Sequence, residues 1–482
     1  ILSNGQLVAQ GTQFSLSDVE VICATVNLDN VQSYRGGFGS RNDQAARTPS
    51  IPHIPIPSRL CSMASVRKSE SPAANAGVPL HMSTSPRAPR YHSPEEEIGY
   101  GPAAWLWDYL RRSGASGFLL PLSGGADSAS TCAIVGIMCS MVVTAIAGGD
   151  QQVLQDARRI VGQGSSYTPI HKKELAHQIM HTCFMGTKHS SDATLTRATK
   201  LANEIGTYHC DAVMDPIVGS FTGVFETMTG KTPQFVAHGG TMTEDLALQN
   251  IQARSRMVYA YQIAQLLPWV RRGKPGGFLL VLGSANVDES LRGYYTKYDC
   301  SAADLNPIGG VSKSDLKRFL TWAGNTFAWS ALLDVVNAAP TAELRPQNLD
   351  GVGGVDASGR KLEHAQNDEE EMGMSYDELG VFGRLRKVEK LGPYSMACKL
   401  AAMWGPGSER SLPIAEVASK VKRFFRFYAI NRHKMTTLTP SYHAENYSPD
   451  DNRYDLRPFL YPVRFERQFR LIDEFVAEME SS

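Results

Sequence analysis

The chain has 482 residues, 42% apolar and 20% charged, which excludes an intrinsically disordered protein and allows roughly two to four folding units. Lys plus Arg and Asp plus Glu each number 48, so no net field gathers nucleic acid or anionic lipid at the surface, and any polyanion must be held locally. The eight cysteines (Cys23, Cys61, Cys132, Cys139, Cys183, Cys210, Cys300 and Cys398) form no CxxC pair, which excludes a disulfide scaffold and a Cys-rich zinc site.

Two apolar, β-branched runs at 6–10 and 19–26 read as strands, the last of a larger sheet, with Cys23 buried in the second. A strand pattern this close to Ile1 leads us to expect further sequence upstream. Residues 46–90 are rich in Ser, Pro, Ala and Arg and are expected to be a disordered linker, being too poor in apolar surface to offset their ordering entropy. Ser93, Pro94 and Glu96 form a capping-box signature that predicts a helix to about 112. A buried-type strand follows at 117–122, then a Gly-rich turn and a helix-like apolar stretch at 129–142. A second strand is predicted at 278–282, between helices at 246–267 and 312–327. Helices alternating with buried strands imply an α/β fold with a parallel sheet flanked by helices. Residues 345–371 read as a mobile loop, and a helix closes the chain near 465–480. No apolar run reaches the length expected of a membrane span and no signal sequence opens the chain, so a cytoplasmic location without membrane or nucleic-acid partners is expected.

The strongest chemical feature is Ser123-Gly124-Gly125-Ala126-Asp127-Ser128, set between strand and helix. Two glycines let backbone N–H groups and the positive end of the following helix surround a phosphate, and Ser123 and Ser128 add hydroxyl donors. Asp127 would repel a bare phosphate, so a Mg²⁺ between carboxylate and phosphate oxygens is implied, and the expected ligand is Mg·nucleotide. An ordinary βα turn also favours Gly and Ser. Five specified positions at roughly 6% usage each make a chance match on the order of one in a few thousand. No Gly-Lys-Ser/Thr follows, so the loop is not a Walker A loop.

The pattern SGGxDS resembles the pyrophosphatase loop of the adenine nucleotide α-hydrolase superfamily, a Rossmann-like fold, which implies cleavage of ATP between its α and β phosphates. A second cluster runs Gly283-Ser284-Ala285-Asn286-Val287-Asp288-Glu289, Thr296-Lys297-Tyr298-Asp299, Ala303-Asp304 and Ser312-Lys313. Together with LALQNIQAR at 246–254 and HKMTTLTP at 433–440, it resembles the eukaryotic glutamine-dependent NAD⁺ synthetases. The resemblance covers about 90–460 and implies a synthetase domain at 91–460 and a C-terminal helix at 461–482. It makes 1–45 the remnant of a nitrilase-like glutaminase domain whose catalytic residues lie outside this sequence, so ammonia alone is the expected nitrogen donor here. GMP synthetase-like chemistry and a non-catalytic nucleotide-binding remnant are the alternatives.

The resemblance also implies roles. ATP would be held by Ser123, Gly124, Gly125, Asp127, Ser128, Ser284, Lys313 and Thr341, with Asp127 and Glu289 as Mg²⁺ ligands and Lys313 neutralising transition-state charge. Deamido-NAD⁺ would be met by Asn250, Arg254 or Arg256, Lys297, Asp304, His433 and Lys434. On a helix Asn250 and Arg254 share a face and Arg256 is turned away, yet either arginine fits the pattern. Read singly, each would be a surface residue or a helix ion pair. Bacterial members read KYGDGGAD where this chain has Lys297-Tyr298-Asp299-Cys300-Ser301-Ala302-Ala303-Asp304, so the aspartate that helps deprotonate ammonium there aligns with Cys300, and either Asp299, one position earlier, replaces it or the task falls to another group. Partners implied are ATP, deamido-NAD⁺, ammonia or glutamine, and further copies of the chain in a homo-oligomer.

Overall fold

A computed structural model describes residues 1–50, 52, 54–55, 57, 83–273, 277–338, 344, 369, 372–437, 439–443 and 464–481. The chain divides into two compact units, Ile1–Tyr91 and His92–Ser482. Most of the expected linker, all of the 345–371 loop but Glu369, and Thr341 lie outside the described residues.

In the first unit β1 (Leu2–Ser3) pairs antiparallel with β2 (Gln6–Leu7). Asn4 and Gly5, both at positive φ, supply the tight turn that matches strand twist. The expected second strand at 19–26 does not form: Val19 and Val21 are exposed, and Cys23 is exposed rather than buried. An alternating run becomes a strand only against a partner, and this one forms no ladder among the described residues: Thr25 N donates to the Thr84 side chain and the Thr25 carbonyl accepts from Thr84 N, while Glu20 accepts from Thr12 through its side chain. Helices Leu28–Gly36 and Gly39–Arg47 follow, the second ending inside the segment expected to be linker.

The second unit is built on a parallel four-stranded sheet in the order β5-β4-β3-β6, from β3 (Phe118–Pro121), β4 (Met180–Gly186), β5 (Tyr208–Val213) and β6 (Leu280–Val281). Leu119 faces His181 on one side and Val281 on the other. Because the chain steps from β3 outward to β4 and β5, then returns to the far side of β3, the order reverses between β3 and β6. In parallel α/β sheets that reversal opens a crevice at the carboxyl ends of the strands.

Leu119, Cys183, Met185, Leu279 and Val281 pack with Ala260 and Ala264 of the Met242–Arg272 helix. The Ala126–Ala147 helix also packs on β3, with the Pro94–Ser113, Lys172–Ile179 and Lys313–Phe327 helices around it. Contrary to the sequence reading, Ala126–Ala147 is long and apolar enough to cross a membrane, with a mean hydropathy of 2.0. Two thirds of that apolar window is buried inside the fold, which is the composition of a central core helix. The capping box at Ser93 and Glu96 is present as expected.

A second core joins the Tyr376–Gly383, Pro393–Trp404, Ile414–Ile430 and Glu466–Ser481 helices through Phe382, Leu400, Val421, Phe424, Tyr428 and Ile472. Leu291, from the short Val287–Arg292 helix, belongs to this core. The sheet and the C-terminal helices are therefore packed into one unit.

Candidate active site

The loop after β3 turns on Gly124, at φ +79°, where an added Cβ would lie 2.3 Å from the Thr194 carbonyl oxygen. Only glycine fits there without a shift. Ser128 Oγ lies 3.0 Å from Ser123 Oγ and donates to the Gly125 carbonyl (3.2 Å), while Ser123 N donates to it (3.2 Å). The two hydroxyls thus brace the loop internally. Gly125 is the N-cap of Ala126–Ala147 and its own side-chain-free end leaves the helix N-terminus open at the carboxyl edge of the sheet.

Asn286 follows β6 and caps the Val287–Arg292 helix, its Oδ1 accepting from Asp288 N and Glu289 N at 3.0 Å each. Its Nδ2 donates to Asp127 Oδ1 at 3.0 Å, so one side chain starts the helix and holds the loop carboxylate. Lys313, 4% exposed, donates from Nζ to Asp127 Oδ2 and stands 3.7 Å from Glu289 Oε1. Lys313 N donates to Oδ2 of the fully buried Asp288 (2.9 Å), which ties the start of the Lys313–Phe327 helix to the same cluster. Ser284 sits half-buried three residues past β6 and two before Asn286.

Of the deamido-NAD⁺ candidates, Asn250, Arg254 and Lys297 meet in a second cluster. Asn250 Oδ1 accepts from Thr296 Oγ1 (2.7 Å), and Arg254 Nε donates to the Lys297 carbonyl (3.0 Å). Arg256 instead donates to the Met185 carbonyl at the end of β4 (2.9 Å), so the structure places Arg254, and not Arg256, with Asn250 and Lys297. Asp299 accepts from Thr296 N (3.1 Å) and Ser301 N (2.9 Å); burial pushes its carboxyl above the ordinary range, and these bonds with Lys434 pull it back. Burial pushes the Cys300 thiol up to about 12, which makes it a poor nucleophile at neutral pH. Asp304 is fixed to the sheet edge, accepting from Val281 N (2.8 Å) and Tyr261 OH (3.2 Å).

The 431–434 segment clamps this loop. Asn431 Nδ2 donates to the Arg292 carbonyl, Arg432 Nη2 to that of Leu291, and Lys434 Nζ to those of Gly293 (2.7 Å) and Tyr295 (2.6 Å). Burial, with Arg292 and Arg254 nearby, lowers the Lys434 ammonium to about 8, against a raising effect of Asp299. His433 is exposed and hydrogen-bonds the Ile430 carbonyl. Sequence reading missed Asn286, Asn431 and Arg432 as organising residues. It quoted the 283–289 segment that contains Asn286, whose capping position before an acidic first turn was a readable signal.

The reversal point, the Gly-rich loop and the converging Asp127, Glu289 and Lys313 form one candidate site on an α/β, Rossmann-like fold. Comparison with known proteins narrows this class. Residues 102–390 match the NAD synthase family, and the chain belongs to that family. It is 53% identical over 482 residues to the glutamine-dependent NAD(+) synthetase of Saccharomyces cerevisiae, and 51% identical over 480 residues to that of Homo sapiens. All of this chain is covered in both, but only 64% of each relative, so the chain spans a little under two thirds of their length. The fold is also similar to the crystal structure of a glutamine-dependent NAD(+) synthetase from Cytophaga hutchinsonii, with TM-score 0.60 and 24% identity, over 79% of this chain and 56% of that one.

Proposed function

We propose that this chain carries the ATP-dependent step that converts deamido-NAD⁺ to NAD⁺. A nicotinate carboxylate oxygen attacks the α-phosphorus of ATP and pyrophosphate leaves. Ammonia then attacks the acyl carbon, AMP leaves, and one proton is lost. The observation that carries the reading is the convergence of Asp127 and Glu289 on the Lys313 ammonium behind the Gly-rich loop.

The two carboxylates already share a cation, and both are hard oxygen donors, so the set fits Mg²⁺. Asp127 and Glu289 would hold the ion, whose positive charge would offset that of the phosphates. Lys313 stabilises charge on the departing phosphates, and the N-terminus of Ala126–Ala147 with the loop N–H groups orients them. Asn250, Arg254, Lys297 and Lys434 meet the dinucleotide. Asp299, its carboxyl raised by burial, accepts the proton lost from the nitrogen donor.

The relatives are named for glutamine dependence and give no support to an ammonia-only enzyme. We propose ammonia as the species reaching this site and glutamine as its source. The helix Asp215–Thr229 buries none of its residues and exposes Phe221, Val224, Phe225 and Met228, which supports assembly with a second copy through that face. A cytoplasmic location completes the reading. The test is NAD⁺ formation from deamido-NAD⁺, ATP and Mg²⁺ with ammonium chloride and with glutamine in parallel. Turnover with ammonium supports the synthetase site, and turnover with neither donor, while ATP still binds, refutes it.

A further inference from the structure

Tyr376 belongs to a different part of the chain from every motif above, yet it reaches the reacting end of the site. Its hydroxyl donates to Glu289 Oε1 at 3.3 Å, and its ring lies 5.1 Å from Lys313 Nζ, in cation–π range. The residue is 5% exposed, and its placement is over-determined. Ser375 and Glu378 close a capping box around the start of the Tyr376–Gly383 helix, and Glu378 is held in turn by Lys420 at 3.0 Å. Tyr376 N also donates to Glu369 Oε1 (3.0 Å), and Met372 and Met374 are buried beside it in the C-terminal core. A side chain fixed this firmly constrains whatever it touches.

We propose that Tyr376 is a positioning residue for the nucleotide site: its hydroxyl fixes Glu289 toward the metal, and its ring shields and aims the Lys313 ammonium. Glu289 without that hydrogen bond keeps its charge but gains rotamers, so metal affinity falls while dinucleotide contacts are untouched. Lys313 without the ring loses a wall and becomes open to solvent. This rests on the NAD⁺ synthetase reading for its purpose, but not for its measurement.

Two readouts test it without turnover. In competitive amine labelling followed by mass spectrometry, Tyr376→Leu should raise the labelling of Lys313 about fivefold relative to the other lysines, while Tyr376→Phe, which keeps the ring, leaves it within about twofold. In thermal shift with ATP, Tyr376→Phe should raise the Mg²⁺ concentration giving half the shift by about tenfold, the lower end of what loss of a supporting hydrogen bond costs a metal site. The Phe variant is nearly isosteric, so it carries the test if the Leu variant fails to fold. Unchanged Lys313 labelling in a folded Leu variant, or wild-type Mg²⁺ dependence in the Phe variant, overturns the proposal. If the wild-type chain forms no NAD⁺, the functional reading fails and these two readouts still decide the role of Tyr376.

Discussion

Asn286 Nδ2 lies 3.0 Å from Asp127 Oδ1, joining positions 159 residues apart in the chain. The same side chain caps the helix that carries Glu289, so its two functions separate by substitution. Asn286→Ser keeps a capping oxygen but cannot reach Asp127, and should melt close to wild type while releasing pyrophosphate more slowly. Asn286→Ala loses both, and should add a stability loss of about 1 kcal/mol, the usual worth of an N-cap. Urea unfolding with pyrophosphate release distinguishes the two. Equal stability of Ser and Ala variants would remove the cap from the explanation.

Lys313→Met tests the charge the site must neutralise. The substitution keeps the aliphatic stem in its buried slot and removes the ammonium shared by Asp127 and Glu289. Turnover should fall about 10²-fold or more, the scale of losing one preorganised charge donor, with affinity for deamido-NAD⁺ changed far less. Asp127→Asn should leave the fold intact, by circular dichroism, and abolish pyrophosphate release. Persisting release would exclude a metal role for Asp127.

Much of this site was legible because its chemistry is packed into short contiguous segments. The phosphate loop, the 283–289 segment and Lys313 could be read in order, and the strand, turn and helix periods around them were strong. Strands β4 and β5 were not legible. Met180–Gly186 contains His181 and Thr182, neither apolar, and follows the Lys172–Ile179 helix with no breaker between them. Those two polar residues are tolerated in the core because each is satisfied, His181 Nδ1 by the Phe118 carbonyl and Thr182 Oγ1 by Thr207 and His209. Tyr376 was invisible for another reason. Its contact to Glu289 spans 87 positions and depends on how the C-terminal helices pack, which no local pattern encodes.

Lys434 sets a pH dependence with a defined sign. Its ammonium is lowered to about 8 from an ordinary 10.5 by burial and by Arg292 and Arg254, with Asp299 acting in the opposite direction. In the unfolded chain it holds its proton up to the ordinary value, so the folded state binds fewer protons between about 8 and 10.5. The lysine therefore detracts from stability below about 8, and this effect is relieved as pH rises through that window. Binding an anionic dinucleotide favours the charged form, so affinity for deamido-NAD⁺ should weaken as pH rises past 8. Lys434→Met should flatten that profile, measured by calorimetry across pH 7 to about 10. A wild-type affinity constant over this range would remove Lys434 from the dinucleotide site.

The two glycines of the phosphate loop should differ sharply in what they tolerate. At Gly124 alanine must adopt φ +79°, a conformation that costs an L-residue roughly 1–2 kcal/mol, and its Cβ would sit 2.3 Å from the Thr194 carbonyl oxygen. That oxygen is backbone of the first turn of the Asp192–Ile205 helix and has no rotamer to escape into. Gly125 has φ −89°, open to any residue, and its added Cβ would meet only Ser123 Oγ at 3.5 Å. Gly124→Ala should therefore lose more than 1 kcal/mol of stability, at the least about the φ term, and bind ATP at least ~10-fold more weakly as the loop shifts. Gly125→Ala should fold with near-wild-type stability and lose ATP affinity only through the bulk placed at the phosphate edge. Urea denaturation and ATP titration of both variants decide the matter, and equal stability losses would show that loop geometry does not require glycine at Gly124.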